Sequence, residues 1–501
     1  MEKYGYLSPG LNVDSIKAIP LDARLAEQGE EHIRGIASYV REHIRAELKE
    51  MVADLRKADG TPYNIYTDGL QVYTTIDSRM QRHAEAAVRE HLAALQKDFD
   101  RLIKGREPYK TDPGILDEWM KRSERYRYAV QAGKSEREIK AEFNEKISMT
   151  IFSWNGEREV RMSPMDSIKL YAQFLETGMV SIDPLTGHVK AWVGGIDYKH
   201  FKYDHVAKGK RQVGSTFKPF VYAAAIDKGW KPCDYLPNQY IYFPTADGKQ
   251  WKPQNSGGEI GGMVSIKRGL ATSANLITAR LMKEVSPHSV AQMAYKAGIK
   301  SKLDEVPSLC LGTTDLSVLE MVESYATFAN YGTHIDPLFV TRIEDQFGNV
   351  LKEFTPKSEE RIDPNVAYTM VEMLRGSADQ PGGTAHRLRF KYNFKNDIAG
   401  KTGTTQNQSD GWFMGFTPTL VTGVWVGCSD RRMRFSSITY GQGANMALPI
   451  WAIYMQRILA DKTVGMPDAR FEAPPGYNVN FNCDAPASTP QQTRPDDLNF
   501  N

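Results

Sequence analysis

Gly214-Ser215-Thr216-Phe217-Lys218-Pro219-Phe220 holds the only Ser-x-x-Lys of the chain, and the segments on either side are organised around it. The run that follows, Val221-Tyr222-Ala223-Ala224-Ala225-Ile226, is rich in helix formers and closes at Gly229, a helix C-cap residue. A helix over 215–228 is therefore expected, with Ser215 in its first turn and Lys218 on the same face. A serine hydroxyl is a poor nucleophile until a base takes its proton. A lysine one turn away, in a dry pocket, can have its pKa lowered enough to be that base. The helix N-terminus adds backbone N–H groups and partial positive charge, which favour a negative oxygen forming beside Ser215. One Ser-x-x-Lys equally describes an N-cap serine followed by a surface lysine, so the motif alone does not decide between these readings.

Two further motifs change the balance. Ser273-Ala274-Asn275 follows in Gly269-Leu270-Ala271-Thr272-Ser273-Ala274-Asn275-Leu276, and Lys401-Thr402-Gly403 lies in Ala399-Gly400-Lys401-Thr402-Gly403-Thr404-Thr405. Ser-x-x-Lys, Ser-x-Asn and Lys-Thr-Gly, in that order, resemble the signature of the penicillin-interacting serine enzymes.

The whole chain has 501 residues, more than one ordinary domain. With 41% hydrophobic and 25% charged residues it can build a substantial core, and a net charge of +2 gives no field pointing to nucleic acid. No apolar run reaches the length of a membrane span and no signal-peptide pattern is present. Cys233, Cys310, Cys428 and Cys483 are scattered and fit no metal or redox spacing. They read as buried free thiols, with a disulfide left open.

Residues 1–64 begin as if inside a domain, and Glu30 to Leu55 reads as an amphipathic helix with Ile33, Ile36, Val40, Ile44, Leu48, Met51 and Leu55 on one side. Residues 65–177 read as a small α+β linker module: a strand at Leu70–Ile76, a helix capped by Asp77, and a hairpin around Asn155-Gly156 flanked by Ile151–Trp154 and Glu159–Met162. Its charge-rich stretch, 98–145, mixes both signs and reads as solvated helix faces rather than a nucleic-acid surface.

A second domain is expected over 178–465. Strands at 179–182 and 188–193 begin it; strands at 398–404, 412–416 and 420–426 and a helix at 446–459 close it. Helices at 215–228, 265–284, 288–297, 317–331 and 364–376 lie between. The expected fold is α+β, an antiparallel sheet made from both ends of the domain, flanked by helices and carrying an all-helical insert. Residues 466–501 are Pro-, Asn- and Asp-rich and are expected to be poorly ordered.

These features resemble the transpeptidase domain of the penicillin-binding proteins, a fold shared with serine β-lactamases. The resemblance also rests on Gly178-Met179-Val180-Ser181-Ile182-Asp183-Pro184, on Lys210-Arg211-Gln212-Val213-Gly214-Ser215, on Asn330-Tyr331-Gly332 and on Trp412-Phe413 after Asp410. Val213 stands where the family usually has Pro. Gly69-Leu70-Gln71-Val72-Tyr73-Thr74-Thr75-Ile76-Asp77 is similar to the class A, bifunctional members of the 1A kind. Those members also carry a membrane helix and a glycosyltransferase domain. Neither is expected in this chain, which reads as a piece beginning in the glycosyltransferase tail.

The resemblance implies a D,D-transpeptidase that needs no cofactor and no metal. Ser215 would attack the carbonyl of a stem peptide ending in D-Ala-D-Ala, with Lys218 as base, and Ser273 would relay a proton to the leaving amine. Asn275 would hold Lys218 and the acyl side chain. Lys401 would supply charge for the substrate carboxylate, Thr402 and Thr404 would hydrogen-bond substrate, and Gly403 would allow its close approach. The oxyanion hole would be the backbone N–H groups of Ser215 and Thr404. An acceptor amine on a second stem peptide would take the acyl group, and β-lactams would bind covalently. The resemblance further implies an inner-membrane parent facing the periplasm, working with other cell-wall synthesis proteins. The alternatives are a D,D-carboxypeptidase or β-lactamase on the same scaffold, or a non-catalytic β-lactam sensor. Against the β-lactamase stand Ser-Ala-Asn in place of Ser-Asp-Asn and the lack of a Glu-x-x-x-Asn between Ser273 and Lys401. His386, after Gly382-Gly383-Thr384, reads as a loop residue at the site's rim, Trp192 and Trp425 as core, and Gly441-Gln442-Gly443 as too short for a phosphate loop.

Overall fold

Asp410–Thr417 and Leu420–Gly427 are apolar or small at nearly every position, so they need cover on both faces. In the computed structural model, which describes residues 35–244, 248–258 and 260–483, they form the middle of a five-stranded antiparallel sheet. The strand order is Ala399–Thr404, Asp410–Thr417, Leu420–Gly427, Glu176–Ile182, Val189–Val193. The register sets Lys401 opposite Met414, Thr404 opposite Gly411, and Val424 opposite Met179. The Lys-Thr-Gly strand is thus an edge, with one side left for something other than a strand.

Alternation along the strands feeds two cores. Trp412, Met414 and Phe416 enter one, with Phe217, Phe220 and Tyr325 of the helical insert. Phe413 enters the other, with Leu448 and Trp451 of the helix Leu448–Ala460. The helix Ser78–Ile103 packs into this second core with Met80, Ala84, Val88, Leu92, Leu95 and Phe99. Each large apolar side chain buried this way contributes about 1.5–3 kcal/mol. Asp77 caps that helix by accepting the N–H groups of Arg79 and Met80. Trp192 and Trp425 are fully buried, as expected of core residues.

Several elements differ in extent from expectation. The first described helix is Ser38–Met51; the part of the expected helix before Gly35 lies outside the described residues. The strand Gln71–Thr74 pairs with Val340–Glu344, which ties it to a segment far along the chain. Around Asn155-Gly156 the paired strands are Ile147–Ile151 and Arg158–Met162. Phe152 and Trp154 leave the ladder because they pack with one another and, through Phe152, against Phe174 and Phe201. Among the described residues no helix is long and apolar enough to cross a membrane.

The reading of the cysteines is corrected for one pair. Cys310 and Cys428 are buried free thiols, but Cys233 and Cys483 form a disulfide. The tail is correspondingly ordered as far as Cys483. Phe471 is buried against Phe416 and its N–H donates to Asp397, while Tyr477 packs edge-on against Tyr368. Composition pointed to disorder, but a few aromatic anchors and one covalent tie suffice to fix the segment. Residues 484–501 lie outside the described residues.

The disulfide closes 250 residues of chain, a long loop whose closure restricts the unfolded state. Cys483→Ser is expected to lower unfolding stability by about 2–5 kcal/mol. Denaturant unfolding with and without reductant tests this; identical curves for the oxidised, reduced and substituted protein would contradict it.

Candidate active site

Gly214–Phe217 forms a 3₁₀ turn, not the first turn of an α-helix, and the α-helix proper is Lys218–Asp227. The Lys218 N–H donates to the Ser215 carbonyl. Side chains three apart eclipse in such a turn, so Ser215 and Lys218 share one side more closely than α-helical geometry would give. Surrounding contacts impose the tighter turn. Gly214 has φ +54°, its N–H donates to Gly312 O at 3.0 Å, and the Tyr325 hydroxyl donates to Thr216 O at 2.7 Å. Ser215 is half-buried and Lys218 fully buried.

The single helix expected over 265–284 is two, Ile266–Ala271 and Asn275–Val285. The break is at Ser273, which adopts φ +60°. That left-handed conformation costs a non-glycine residue about 1–2 kcal/mol. It also turns the Ser273 carbonyl out of the helix ladder, where it accepts from Lys218 Nζ at 2.7 Å. Nζ further reaches Ser273 Oγ at 3.1 Å and Asn275 Oδ1 at 2.6 Å. The donor end of the Asn275 amide is held by Gln254 O at 2.6 Å. Ser273 and Asn275 are therefore drawn together around the ammonium of Lys218, the residue that follows the Ser215 turn.

The Lys-Thr-Gly strand closes the other side. Thr405 N–H donates to Asp410 O within the sheet, so by strand alternation the Thr404 N–H faces the free edge. The Ser215 turn occupies that edge: a Cβ on Gly214 would lie 2.7 Å from Thr404 O and 3.4 Å from Thr404 N, and one on Gly403 would lie 2.8 Å from both Val213 O and Thr216 Cγ2. Backbone approach this close excludes side chains at both positions. Thr404 Oγ1 accepts the Gly443 N–H at 3.0 Å, and Ser377 Oγ donates to Gly400 O at 2.8 Å. Thr402 is buried and Lys401 wholly so, with its Nζ donating to Thr402 O at 3.0 Å.

Burial dominates the electrostatics. It pushes the Lys218 ammonium down to about 7, while the three oxygens around Nζ act in the opposite sense by favouring the charged form. Lys401 is held well below the ordinary lysine range, first by burial and then by the Lys218 charge. Burial pushes the Cys310 thiol up to about 12, so it is an un-ionised neighbour of this pocket. Among the described residues one group has metal-ligand spacing, Glu323, His334 and Asp336. The Lys300 ammonium stands 2.7 Å from Glu323, which balances that charge without an ion.

The sequence reading passed over several residues that hold this arrangement. Gln254, Ser377 and Tyr325 act through hydrogen bonds that no local pattern encodes. Gly443 belongs to a stretch dismissed as a phosphate loop, yet its N–H holds the Thr404 hydroxyl. Arg211 and Asp410 carried only family resemblance; they form a buried ion pair at 2.7 Å. His386 starts a short helix and has Nδ1 2.7 Å from Ala378 O.

Comparison with known proteins places this geometry. Residues 177–428 match the penicillin binding protein transpeptidase domain, and residues 104–175 match the penicillin-binding protein middle domain. Penicillin-binding protein 1A of Aquifex aeolicus is 31% identical over 437 residues, covering 83% of this chain and 57% of that protein. Penicillin-binding protein 1A of Neisseria flavescens is 29% identical over 486 residues, covering 89% and 58%. The chain thus spans less than three fifths of the length of these relatives. The crystal structure of penicillin-binding protein 1A from Haemophilus influenzae superposes with a TM-score of 0.65 at 23% identity, covering 88% of this chain and 72% of that one. PonA1 from Mycobacterium tuberculosis in complex with penicillin V gives 0.59 at 24% identity, covering 89% and 97%.

Gly214→Ala introduces a side chain at φ +54° and 2.7 Å from Thr404 O. The conformation alone costs about 1–2 kcal/mol. A lowered Tm is expected, together with loss of any chemistry that needs residues 215 and 404 side by side. An unchanged Tm would mean that the turn does not rest on this strand.

Proposed function

This chain belongs to the penicillin-binding protein transpeptidase family, and from that premise we propose that it is a serine D,D-transpeptidase that cross-links peptidoglycan stem peptides through an acyl-enzyme. The observation that carries the reading is the buried Lys218 Nζ, held by Ser273 and Asn275, on a residue whose N–H closes the 3₁₀ turn of Ser215. Ser215 Oγ attacks the carbonyl of the penultimate D-Ala while Lys218 takes its proton. The Ser215 and Thr404 N–H groups hold the oxyanion. As the C–N bond to the last D-Ala breaks, Ser273 passes its proton to the leaving amine and takes from Lys218 the proton that came from Ser215, which leaves Lys218 neutral again. An amine of a second stem peptide then attacks the ester, forms the cross-link, and its proton returns to Ser215 Oγ. Lys218 and Lys401 are two buried amines in one pocket, each opposed by desolvation. The terminal carboxylate of the substrate supplies the missing negative charge beside Lys401, and Thr402 and Thr404 hydrogen-bond it. β-Lactams enter the same pocket as substrate mimics, in keeping with the penicillin V complex of PonA1.

The Cys233–Cys483 disulfide supports an oxidising, extracytoplasmic setting, because such bonds persist there and are rare in the cytosol. A membrane-anchored parent that also polymerises glycan, as the 1A-like relatives suggest, is part of this proposal. So is the division of the chain into a glycosyltransferase remnant, a linker module and a transpeptidase domain.

A fluorescent penicillin is expected to label the chain covalently, and Ser215→Ala to abolish the label. Persisting label in the variant would refute the site, and release within minutes would favour the hydrolase reading. The acylation rate carries a second expectation. Because the Lys218 pKa is lowered to about 7, the neutral amine predominates above that pH. The rate should climb about tenfold per pH unit below about 7 and level off above it. A rate still climbing through pH 9 would mean that Lys218 is not the base.

A further inference from the structure

Arg211 is a charged residue where a charge is costly. It is only 8% exposed and its partner Asp410 is wholly buried. Buried ion pairs of this kind are weak stabilisers, often matched or bettered by apolar residues of similar volume, and their best-attested use is to fix geometry. The geometry here is specific. Arg211 Nε donates to Asp410 Oδ1 at 2.7 Å, Nη1 to Ser429 O at 3.1 Å and Nη2 to Cys428 O at 3.0 Å. The guanidinium also lies 4.7 Å from the centre of the Trp425 ring. One planar fork therefore spans the start of the strand Asp410–Thr417 and the exit of the strand Leu420–Gly427.

Both ends of this clamp lead into the site. Arg211 belongs to the strand Arg211–Gln212, immediately before the Ser215 turn, and Trp412 Nε1 fastens the next residue by donating to Gln212 O at 2.9 Å. Asp410 accepts from Trp425 Nε1 at 3.0 Å on one oxygen. On the other it accepts from Ser409 Oγ at 2.6 Å and Thr405 Oγ1 at 3.3 Å, and its own N–H donates to Thr405 Oγ1 at 3.0 Å. Thr405 follows Thr404 directly. The pair thus ties the chain entering the nucleophile turn to the chain leaving the Lys-Thr-Gly strand, the two segments whose N–H groups form the oxyanion hole in the mechanism above.

We propose that Arg211 and Asp410 are positioning residues for acyl transfer, setting the separation of the Ser215 and Thr404 backbones and hence the fit of the oxyanion hole. The inference rests on the transpeptidase reading. Neither side chain touches substrate; each acts through the backbone it anchors. Lysine cannot replace this arginine, since a point charge reproduces neither the fork nor the stacking on Trp425.

The test is penicillin acylation of the 501-residue chain, Arg211→Lys and the near-isosteric Asp410→Asn, resolved into the saturating acylation rate and the half-saturating concentration. Rates are scaled to the folded fraction from circular dichroism. Misplacing reacting groups by about 1 Å costs up to about 100-fold. We expect the saturating rate to fall about 10- to 100-fold in each variant, with half-saturation within about twofold and the pH midpoint unmoved, because Lys218 is untouched. A purely structural role would lower Tm and leave the rate per folded molecule at the parent value, which overturns the proposal. A shifted pH midpoint overturns it too, by placing the effect on the base. Unfolding of both variants would make the pair a requirement of the fold and equally overturn it. Failure of the unsubstituted chain to be labelled at all would instead sink the transpeptidase reading.

Discussion

A lysine ammonium removed from water has to find oxygen atoms, and much of this molecule is arranged to supply them to Lys218. Full burial disfavours its charge, while Ser273 O, Ser273 Oγ and Asn275 Oδ1 partly restore it. Burial brings the amine down to about 7, between its two protonation states near neutral pH, on the residue that closes the Ser215 turn. An exposed lysine would stay charged.

Supplying those oxygens has structural costs that the fold absorbs. Ser273 adopts a left-handed backbone that interrupts a helix, and its freed carbonyl is used at once by Lys218. The Lys-Thr-Gly strand gives up a neighbouring strand at its edge, and the Ser215 turn takes that place, with glycine at 214 and 403 where backbones come within van der Waals contact. The sheet tolerates this because helices cover both its faces and hold the edge strand independently of pairing. Ser377 and Gly443, from outside the sheet, satisfy groups of that strand.

The fold was largely legible because its signals are local. Apolar runs between turn residues gave the strands of the main sheet, Asp77 gave a helix start, and the family motifs gave candidate site residues in chain order. Misreadings occurred where distant contacts overrule local preference. Thr272-Ser273-Ala274 carries no helix breaker, yet the chain breaks there to reach Lys218. Phe152 looked like a strand residue and left the ladder for an aromatic cluster. Cys233 and Cys483 are 250 residues apart, and spacing has nothing to say about such a pair.

By itself, then, the sequence determined which residue types are available: a serine three before a lysine, a serine two before an asparagine, a lysine in a strand of small residues, and the apolar periods that make sheet and helices. What these residues become depends on how the chain packs around them. Desolvation, the direction of a carbonyl and the distance between two backbones are properties of packed neighbours, and those neighbours include segments about two hundred residues away in the chain. The Lys218 side chain is chemically the same in any lysine; its charge state is set by what surrounds it.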